Sequence, residues 1–178
     1  MAFITVNNIR TTDYSGYLYT ETVSFSEDYS DPRFSGAAFY AGDGQEKSKL
    51  REIAYEGKTA YVFVDKRSVE TESFLECFLS ARHSVVFCSE DRETLEKLYK
   101  KDRLFDYLLI VKSPVGAEIG SLTGYNCALP YEKSDLKRAE SLHERNHRFA
   151  VYGVKTDEEL AACEKMKADV VFLDPSFE

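Results

Sequence analysis

Short apolar runs alternate with amphipathic helical segments along most of this chain, and this alternation constrains the fold more than any other feature. Counting from residue 17, eight runs have the length and the β-branched and aromatic content of strands. They lie at 17–25, 36–42, 59–67, 84–91, 107–112, 125–131 and at either end of 149–175. Nearly continuous apolar strands joined by helices are typical of a parallel sheet that is covered on both faces.

Helical spacing of apolar residues fills most of the intervals between these strands. It predicts helices at 45–57, 69–82, 92–105 and 134–147 and inside 149–175, whereas the glycine-containing interval 113–124 is interpreted as a loop. We therefore predict a compact (β/α)8 TIM-barrel-like fold with reduced helices, in a single domain that covers 1–178. The alternative is an open flavodoxin-like parallel sheet with an N-terminal hairpin of strands 3–9 and 17–25, because eightfold barrels usually have about 250 residues. The role of segment 1–35 stays open.

The segment 149–175 is the most legible unit of strand, helix and strand. Thr156 and Glu159 have the spacing of a capping box, in which the threonine hydroxyl accepts from the amide of residue 159 and the glutamate reaches back to the amide of residue 156. Leu160, Cys163 and Met166 form the expected inward face of the helix. Every one of these features is explained by folding alone.

Composition argues against several classes of function. The formal net charge is −8 and the basic residues form no stripe, so we expect no nucleic-acid partner. No apolar run approaches the roughly 20 residues that span a bilayer, and no charged-then-apolar leader is present, so a cytoplasmic protein without a membrane span is expected. The four cysteines show no CxxC pairing and are interpreted as buried reduced thiols. A homo-oligomer is compatible with the sequence.

Charged residues follow the apolar strands at their carboxyl ends, which is where parallel α/β folds carry their sites. We predict Asp65, Glu90 and Asp174 as candidate catalytic residues, because crowded carboxylates can serve as acid and base. The residues predicted to bind substrate are Lys66, Lys112, Glu132 and Lys155, whose lysines can neutralise a phosphate. Glu21 is placed in the same ring, at the end of the first strand. The identity of a bound metal is left open.

The C-terminal part of the chain resembles the glycerophosphodiester phosphodiesterase family of phosphatidylinositol-phospholipase-C-like (β/α)8 barrels. Members commonly end with a strand, a T/N-x-E-E helix start, a GxD turn and a strand that runs into TD-x-P. Similar places are held here by Thr156, Glu158, Glu159, Ala168, Asp169, Asp174 and Pro175. The stretch GVKTDEEL is also similar to EGVETEEQL of EAL-type cyclic-di-GMP phosphodiesterases, with Tyr152 where that family has a metal-binding glutamate.

The resemblance implies a His-Arg pair after the first strand, a Glu-x-Asp motif and a second histidine, and the sequence departs from each. Asn7 and Asn8 stand in place of the pair, and Glu21 is followed by Val23 instead of an aspartate. No histidine precedes His83, which is predicted to lie at the bottom of the barrel. His143 and His147 lie four apart on one predicted helix and are interpreted as part of its solvated face.

Two functions remain open on these grounds. The first is a divergent phosphodiesterase-like barrel that acts on or binds a small phosphorylated metabolite, with histidine-dependent catalysis lost and a divalent cation as candidate cofactor. The second is a non-catalytic barrel with a regulatory or partner-binding role. The loss of the expected histidines favours the second, whereas the charged strand ends favour the first.

Overall fold

The computed structural model describes residues 20–69 and 74–177. Its strands are β1 (Glu21–Ser24), β2 (Gly36–Tyr40), β3 (Thr59–Phe63), β4 (Val85–Ser89), β5 (Asp106–Ile110), β6 (Asn126–Pro130), β7 (Phe149–Val154) and β8 (Val170–Leu173). Its helices are α1 (Glu46–Tyr55), α2 (Arg92–Lys101), α3 (Pro114–Leu122), α4 (Leu136–His143) and α5 (Asp157–Lys165). Short 3₁₀ turns occupy Phe74–Cys77, Leu79–Ser84 and Tyr131–Lys133.

The eight strands form one closed parallel barrel. Each strand pairs in parallel with the next along the chain, and β1 pairs with β8, with Val23 opposite Phe172. The predicted (β/α)8 TIM-barrel-like fold is therefore confirmed, and the alternative of an open flavodoxin-like sheet is excluded because the two outer strands of such a sheet would not pair. The strand predicted at 3–9 lies outside the described residues.

Two apolar cores follow from the two faces of the strands, since successive side chains point to opposite sides. One core fills the barrel interior with Val23, Ala38, Tyr61, Val86, Cys88, Leu108, Ile110, Ala128, Ala150, Val170 and Phe172. The larger one lies between the strands and the outer helices and includes Phe87, Phe105 and Phe149. Among the residues described, no helix is both long and apolar enough to cross a membrane.

The predicted helices are correct except in two intervals. Segment 113–124 forms a helix and not a loop: Ser113 caps it by accepting from the amide of Gly116 at 3.1 Å, and Pro114 occupies its first turn. Segment 69–82 was predicted as one helix, but its described part makes two 3₁₀ turns, with a non-helical backbone at Ala81.

The cap of α5 differs from prediction in one contact. The Thr156 hydroxyl accepts from the amide of Glu159 at 3.2 Å, as predicted, but the Glu159 carboxylate accepts from the amide of Lys155 at 2.7 Å and not from that of Thr156. The effect on the turn is the same, because an orphan amide before the helix gains a partner.

Candidate functional site at the barrel mouth

The carboxyl ends of all eight strands meet at one end of the barrel, which we call the mouth; the opposite end is the floor. In barrels of this class, side chains at the mouth carry the chemistry. The inward positions at the mouth are occupied by Phe25, Tyr40, Phe63, Glu90, Lys112, Tyr152 and Phe172. They divide into an aromatic half and a polar half.

The aromatic half is formed by β1, β2, β3 and β8. Phe63 lies at its centre, with its ring centroid 5.3 Å from Phe25, 5.3 Å from Tyr40 and 5.8 Å from Phe172. Phe172 is buried, whereas Tyr40 is 67% exposed. We call these four rings the aromatic wall. It packs over this half of the barrel interior and presents apolar ring surface at the rim.

The polar half is formed by β4, β5 and β7. The Lys112 ammonium lies 2.8 Å from the Glu90 carboxylate, and both side chains are largely exposed. The Tyr152 hydroxyl donates to the carbonyl of Val111 at 3.2 Å. A bulge beside Tyr152 at Gly153, whose φ is +76°, sets the position of this tyrosine in the strand.

The surroundings of the polar half change the pKa values of Lys112 and Tyr152. Hydrogen bonding to Glu90 raises the pKa of Lys112, so its ammonium remains protonated at neutral pH. Partial burial, together with the Glu90 carboxylate, raises the pKa of Tyr152, so its phenol stays neutral and keeps its hydrogen bond to the Val111 carbonyl. The polar half therefore presents an exposed lysine–glutamate pair beside a neutral phenol.

An open cavity of about 610 Å³ adjoins the aromatic wall at the ends of β1 and β2. Phe25 and Tyr40 line it together with Lys49. The Lys49 ammonium is held by Asp43 at 2.7 Å and lies 3.8 Å from Glu27. The cavity is therefore apolar on one side and charged on the other.

Of the seven site residues predicted from the sequence, the structure brings Glu90 and Lys112 into direct contact. Lys155 lies close enough to Asp174 to contribute to the lowered pKa of that carboxyl. Lys66 and Glu132 are exposed on separate loops, Glu132 in the 3₁₀ turn after β6. Their roles, and those of the other five residues, remain predictions.

Two of the predicted carboxylates are engaged in local turns. Asp65 accepts from the amides of Arg67 and Ser68 at 2.9 and 2.8 Å, and the backbone bond from Ser68 is the main reason that its pKa is lowered. Asp174 accepts from the hydroxyl and the amide of Ser176, and these bonds lower its pKa. Both carboxyls are therefore ionised at neutral pH.

Glu21 does not lie at the mouth, contrary to the prediction. It begins β1, so it lies at the floor, where its carboxylate accepts from the Tyr61 hydroxyl at 2.7 Å and from the Arg148 guanidinium at 2.9 Å. The prediction placed Glu21 at the carboxyl end of strand 17–25, but the strand in the structure starts at this residue.

All three histidines of the sequence lie toward the floor. His83 and His147 come immediately before β4 and β7, and His143 contacts Asp169, which precedes β8, at 2.8 Å. The predicted floor position of His83 is confirmed. His143 is only 17% exposed and hydrogen-bonded to Asp169, and His147 lies beyond the end of α4, so the predicted solvated helix face is wrong for both. Within 20–69 and 74–177, no three His, Cys, Asp or Glu side chains are arranged to hold a metal ion.

Sequence reasoning missed the aromatic wall. The signal was present as a period of two: Phe25 follows the inward Val23, and Phe63 follows the inward Tyr61. Attention to charged strand ends alone overlooked these apolar residues, which occupy the same end of the barrel.

Comparisons with known proteins bear on the fold. No protein-family model matches the chain, and no curated protein matches its sequence. A phosphodiesterase from Oleispira antarctica, solved with the product sn-glycerol-3-phosphate, superposes with a TM-score of 0.59 at 9% identity, over 71% of this chain and 56% of that one. A glycerophosphoryl diester phosphodiesterase from Parabacteroides distasonis gives 0.53 at 13% identity, over 71% and 50%.

A barrel of another class is equally similar. An HpcH/Hpal aldolase/citrate lyase family protein from Burkholderia cenocepacia superposes with a TM-score of 0.60 at 10% identity, over 94% of this chain and 92% of that one. The chain spans only about half the length of the phosphodiesterases it matches. These similarities show a TIM-barrel fold like that of the glycerophosphodiester phosphodiesterases and of other barrel enzymes.

Proposed function

We propose that this chain is a ligand-binding (β/α)8 barrel whose mouth takes a small phosphorylated metabolite, without the histidine-dependent hydrolysis of the phosphodiesterase barrels. The observation that carries the proposal is the Lys112 ammonium, held 2.8 Å from Glu90 beside the Tyr152 phenol and across the mouth from the aromatic wall. A phosphate contacts the polar half, and an apolar part of the same ligand packs on the aromatic half.

The polar half has the chemistry that an anion requires. Lys112 is protonated, 75% exposed and fixed in place by its carboxylate partner, so it can bind a phosphate without a large rearrangement. Lys66 and Lys155 follow other strands at the same end of the barrel and can add contacts. The Oleispira antarctica phosphodiesterase binds sn-glycerol-3-phosphate, which makes glycerol phosphates the first ligands to test.

The position of the histidines supports binding over histidine-dependent hydrolysis. Acid–base catalysis requires the proton-transferring group within hydrogen-bond reach of the substrate. His83, His143 and His147 all lie toward the floor, so none reaches a ligand at the mouth.

A second candidate function, hydrolysis by the mouth carboxylates, is favoured by one observation. Asp65, Glu90 and Asp174 all follow strands at the mouth, and the Glu90 carboxylate lies 2.8 Å from the Lys112 ammonium. A carboxylate of this set would take the proton of the attacking water, whose oxygen forms a bond to phosphorus as the bond from phosphorus to the leaving alcohol oxygen breaks. The Lys112 ammonium would stabilise the charge on the phosphate and give a proton to that leaving oxygen.

Calorimetric titration with sn-glycerol-3-phosphate, inorganic phosphate and glycerol tests the proposal. We expect both phosphates to bind and glycerol not to, and we expect Lys112→Ala to weaken the binding at least about tenfold, a loss of one charge-assisted contact. Lys165→Ala, on the outer helix α5, is the matched control and should bind as the wild type does. Equal binding by the two variants, or no phosphate binding, contradicts the proposal.

A turnover assay separates the two candidates. Glycerophosphocholine is incubated with the protein, with and without Mg²⁺ or Mn²⁺, and the release of glycerol phosphate is measured. No release, together with intact phosphate binding, supports the binding function. Release that is lost in Asp65→Asn, Glu90→Gln or Asp174→Asn, but kept in Lys165→Ala, establishes hydrolysis instead.

A further inference from the structure

Helix α3 (Pro114–Leu122) has the reverse of the side-chain distribution that a barrel helix normally has. Its barrel-facing positions are small, with Ala117, Gly120 and Ser121 buried. A Cβ at Gly120 would lie 2.6 Å from the Cys127 sulfur, so the helix backbone lies directly on β6. The small residues of α3 therefore pack on the barrel, and its large apolar residues do not.

The large apolar residues of α3 point to solvent. Val115, Ile119 and Leu122 are 65%, 51% and 68% exposed, and their spacing of four and three residues places them on one face. We call them the apolar stripe. Single exposed apolar side chains are common, but three in register on a helix whose other face already packs on the barrel mark a surface that binds something.

A groove lies beside the apolar stripe, between α2 and the start of β6. It has a volume of about 460 Å³, and Leu122 belongs to both the groove and the stripe. Three cationic side chains line it, Arg92, Lys100 and Arg103, against a single carboxylate, Glu96, which pairs with Lys100 at 2.9 Å. The groove is therefore basic, on a chain whose formal net charge is −8.

We propose that the apolar stripe and this basic groove form a docking site for an acidic amphipathic helix of a partner protein. The apolar face of such a helix packs on Val115, Ile119 and Leu122, and its carboxylates meet the cationic groove. Charge complementarity selects the partner, because an acidic segment is repelled by most of this chain's surface and attracted here.

The shape of the site favours a helix over a membrane surface. A bilayer is met by a convex apolar face with basic residues around it, whereas here the cations line a recess. The exposed carboxylate of Glu118, next to the stripe in sequence, also disfavours an anionic lipid surface.

Fluorescence anisotropy with designed peptides tests this site. The probe is a labelled peptide of about 16 residues with leucines at helical spacing and glutamates on its flanks, a length that can become helical when bound. The comparison peptides are the same sequence with lysine for glutamate, and a scrambled acidic sequence. We expect the acidic amphipathic peptide to bind at least about tenfold more tightly than either.

Substitutions test whether the acidic peptide binds at the apolar stripe and the basic groove. Ile119→Ser with Leu122→Ser, and separately Arg103→Glu, should each weaken the acidic peptide about tenfold or more. Matched controls are Tyr55→Ser and Arg51→Glu on α1, where Tyr55 is 88% exposed; both should bind as the wild type does. All five positions are exposed, so the variants are expected to fold.

Four outcomes overturn the proposal. The first two are the absence of peptide binding and equal binding of the acidic and basic peptides. The third is peptide binding that the α3 variants leave unchanged. The fourth is evidence that the apolar stripe binds something other than an acidic helix. A dimer in sedimentation that Ile119→Ser dissociates would assign the stripe to a second copy of the chain. Binding to phosphatidylcholine–phosphatidylserine vesicles that the same variant abolishes would assign it to a membrane.

Discussion

The floor and the mouth of this barrel both contain charged residues, but the two ends use them differently. At the floor, Glu21 is buried and accepts from Tyr61 and Arg148, so that its charge is enclosed by protein. At the mouth, the Lys112–Glu90 pair is exposed, with side-chain exposures of 75% and 63%. The floor pair is therefore largely buried, and the mouth pair is exposed.

The difference in burial separates charged residues that stabilise the fold from charged residues that are accessible to a ligand. Although burial opposes its charge, the Tyr61 hydroxyl and the carboxylates of Glu21 and Asp169 raise the pKa of Arg148, so the guanidinium remains charged inside the protein. Burial and the neighbouring Glu21 raise the pKa of Tyr61 well above its usual value, which keeps it a hydrogen-bond donor. These floor charges are therefore engaged with one another inside the protein.

The largest effect is expected from removing one partner of the Glu21–Arg148 pair at the floor. Arg148→Met leaves the Glu21 charge buried without its cation and should lower the free energy of unfolding by about 3–5 kcal/mol. The matched control is Arg138→Met, which removes the partner of Asp135 at the surface of α4 and should cost about 0–1 kcal/mol. Urea denaturation measures both.

A double variant tests the cause of that loss. Glu21→Leu combined with Arg148→Met removes both charges and should recover part of the stability that Arg148→Met loses, because no uncompensated charge remains. A double variant that is as unstable as the sum of its single variants would show that packing, and not charge, explains the effect.

A smaller effect is expected from the Tyr61 hydroxyl. Tyr61→Phe keeps the ring but removes the donor that lies 2.7 Å from Glu21, and it should cost about 1.5–3 kcal/mol, the usual range for a bond to a charged group. Tyr40→Phe is the control at the mouth, where the exposed side chain should leave the urea midpoint unchanged. Similar losses in both variants would contradict the distinction between floor and mouth.

The mouth pair should be dispensable for folding. Lys112→Met and Glu90→Gln should each melt within experimental error of the wild type, because solvent-exposed pairs contribute little to stability. The same Lys112 substitution should nevertheless weaken phosphate binding. Differential scanning calorimetry, run beside the binding titration, checks both expectations; a large fall in melting temperature would give the pair a structural role.

The barrel could be predicted from the sequence because apolar strands alternate with helical segments over most of the chain from β2 to β8. Helix α3 could not be predicted, since Gly116 and Gly120 lower helix propensity. Gly120 is explained only by its close approach to Cys127, and Gly116 by its approach to Val111. Glu21 was misplaced because the start of β1 depends on a long-range contact, the bond from its amide to the carbonyl of Asp169.

The general rule that sites lie at the carboxyl ends of parallel strands located the candidate site, but it did not predict which residues of the site contact one another. It selected Glu90 and Lys112 separately, and their contact depends on the neighbouring positions of β4 and β5 in the barrel. The rule selected Asp65 in the same way, although this carboxylate closes its own loop by accepting from Arg67 and Ser68. Backbone geometry decides whether a charged residue at a strand end forms hydrogen bonds within its own loop. The pattern of charges in the sequence does not show this geometry.

The smallest expected effect concerns the titration of the mouth carboxylates. Local hydrogen bonds lower the pKa of Asp65 and Asp174 below the usual 3.8, so both groups should titrate under that value in carbon-detected NMR. A lowered folded-state pKa contributes stability that is present above pH 3.8 and is lost as the pH falls through the folded pKa. Because both carboxyls are exposed, this contribution is small.

Ser68→Ala and Ser176→Ala separate local bonding from the charge of the mouth. Each removes a hydroxyl that contacts Asp65 or Asp174 and should move the pKa of that carboxyl toward its usual value while leaving the other unchanged. Ser176→Ala should have the greater effect, because the side-chain bond is the main cause of the shift at Asp174, whereas the backbone amide of Ser68 dominates at Asp65. If Lys112→Met instead raised both pKa values, the mouth charges would be coupled across the barrel, and the local account of these two carboxylates would be wrong.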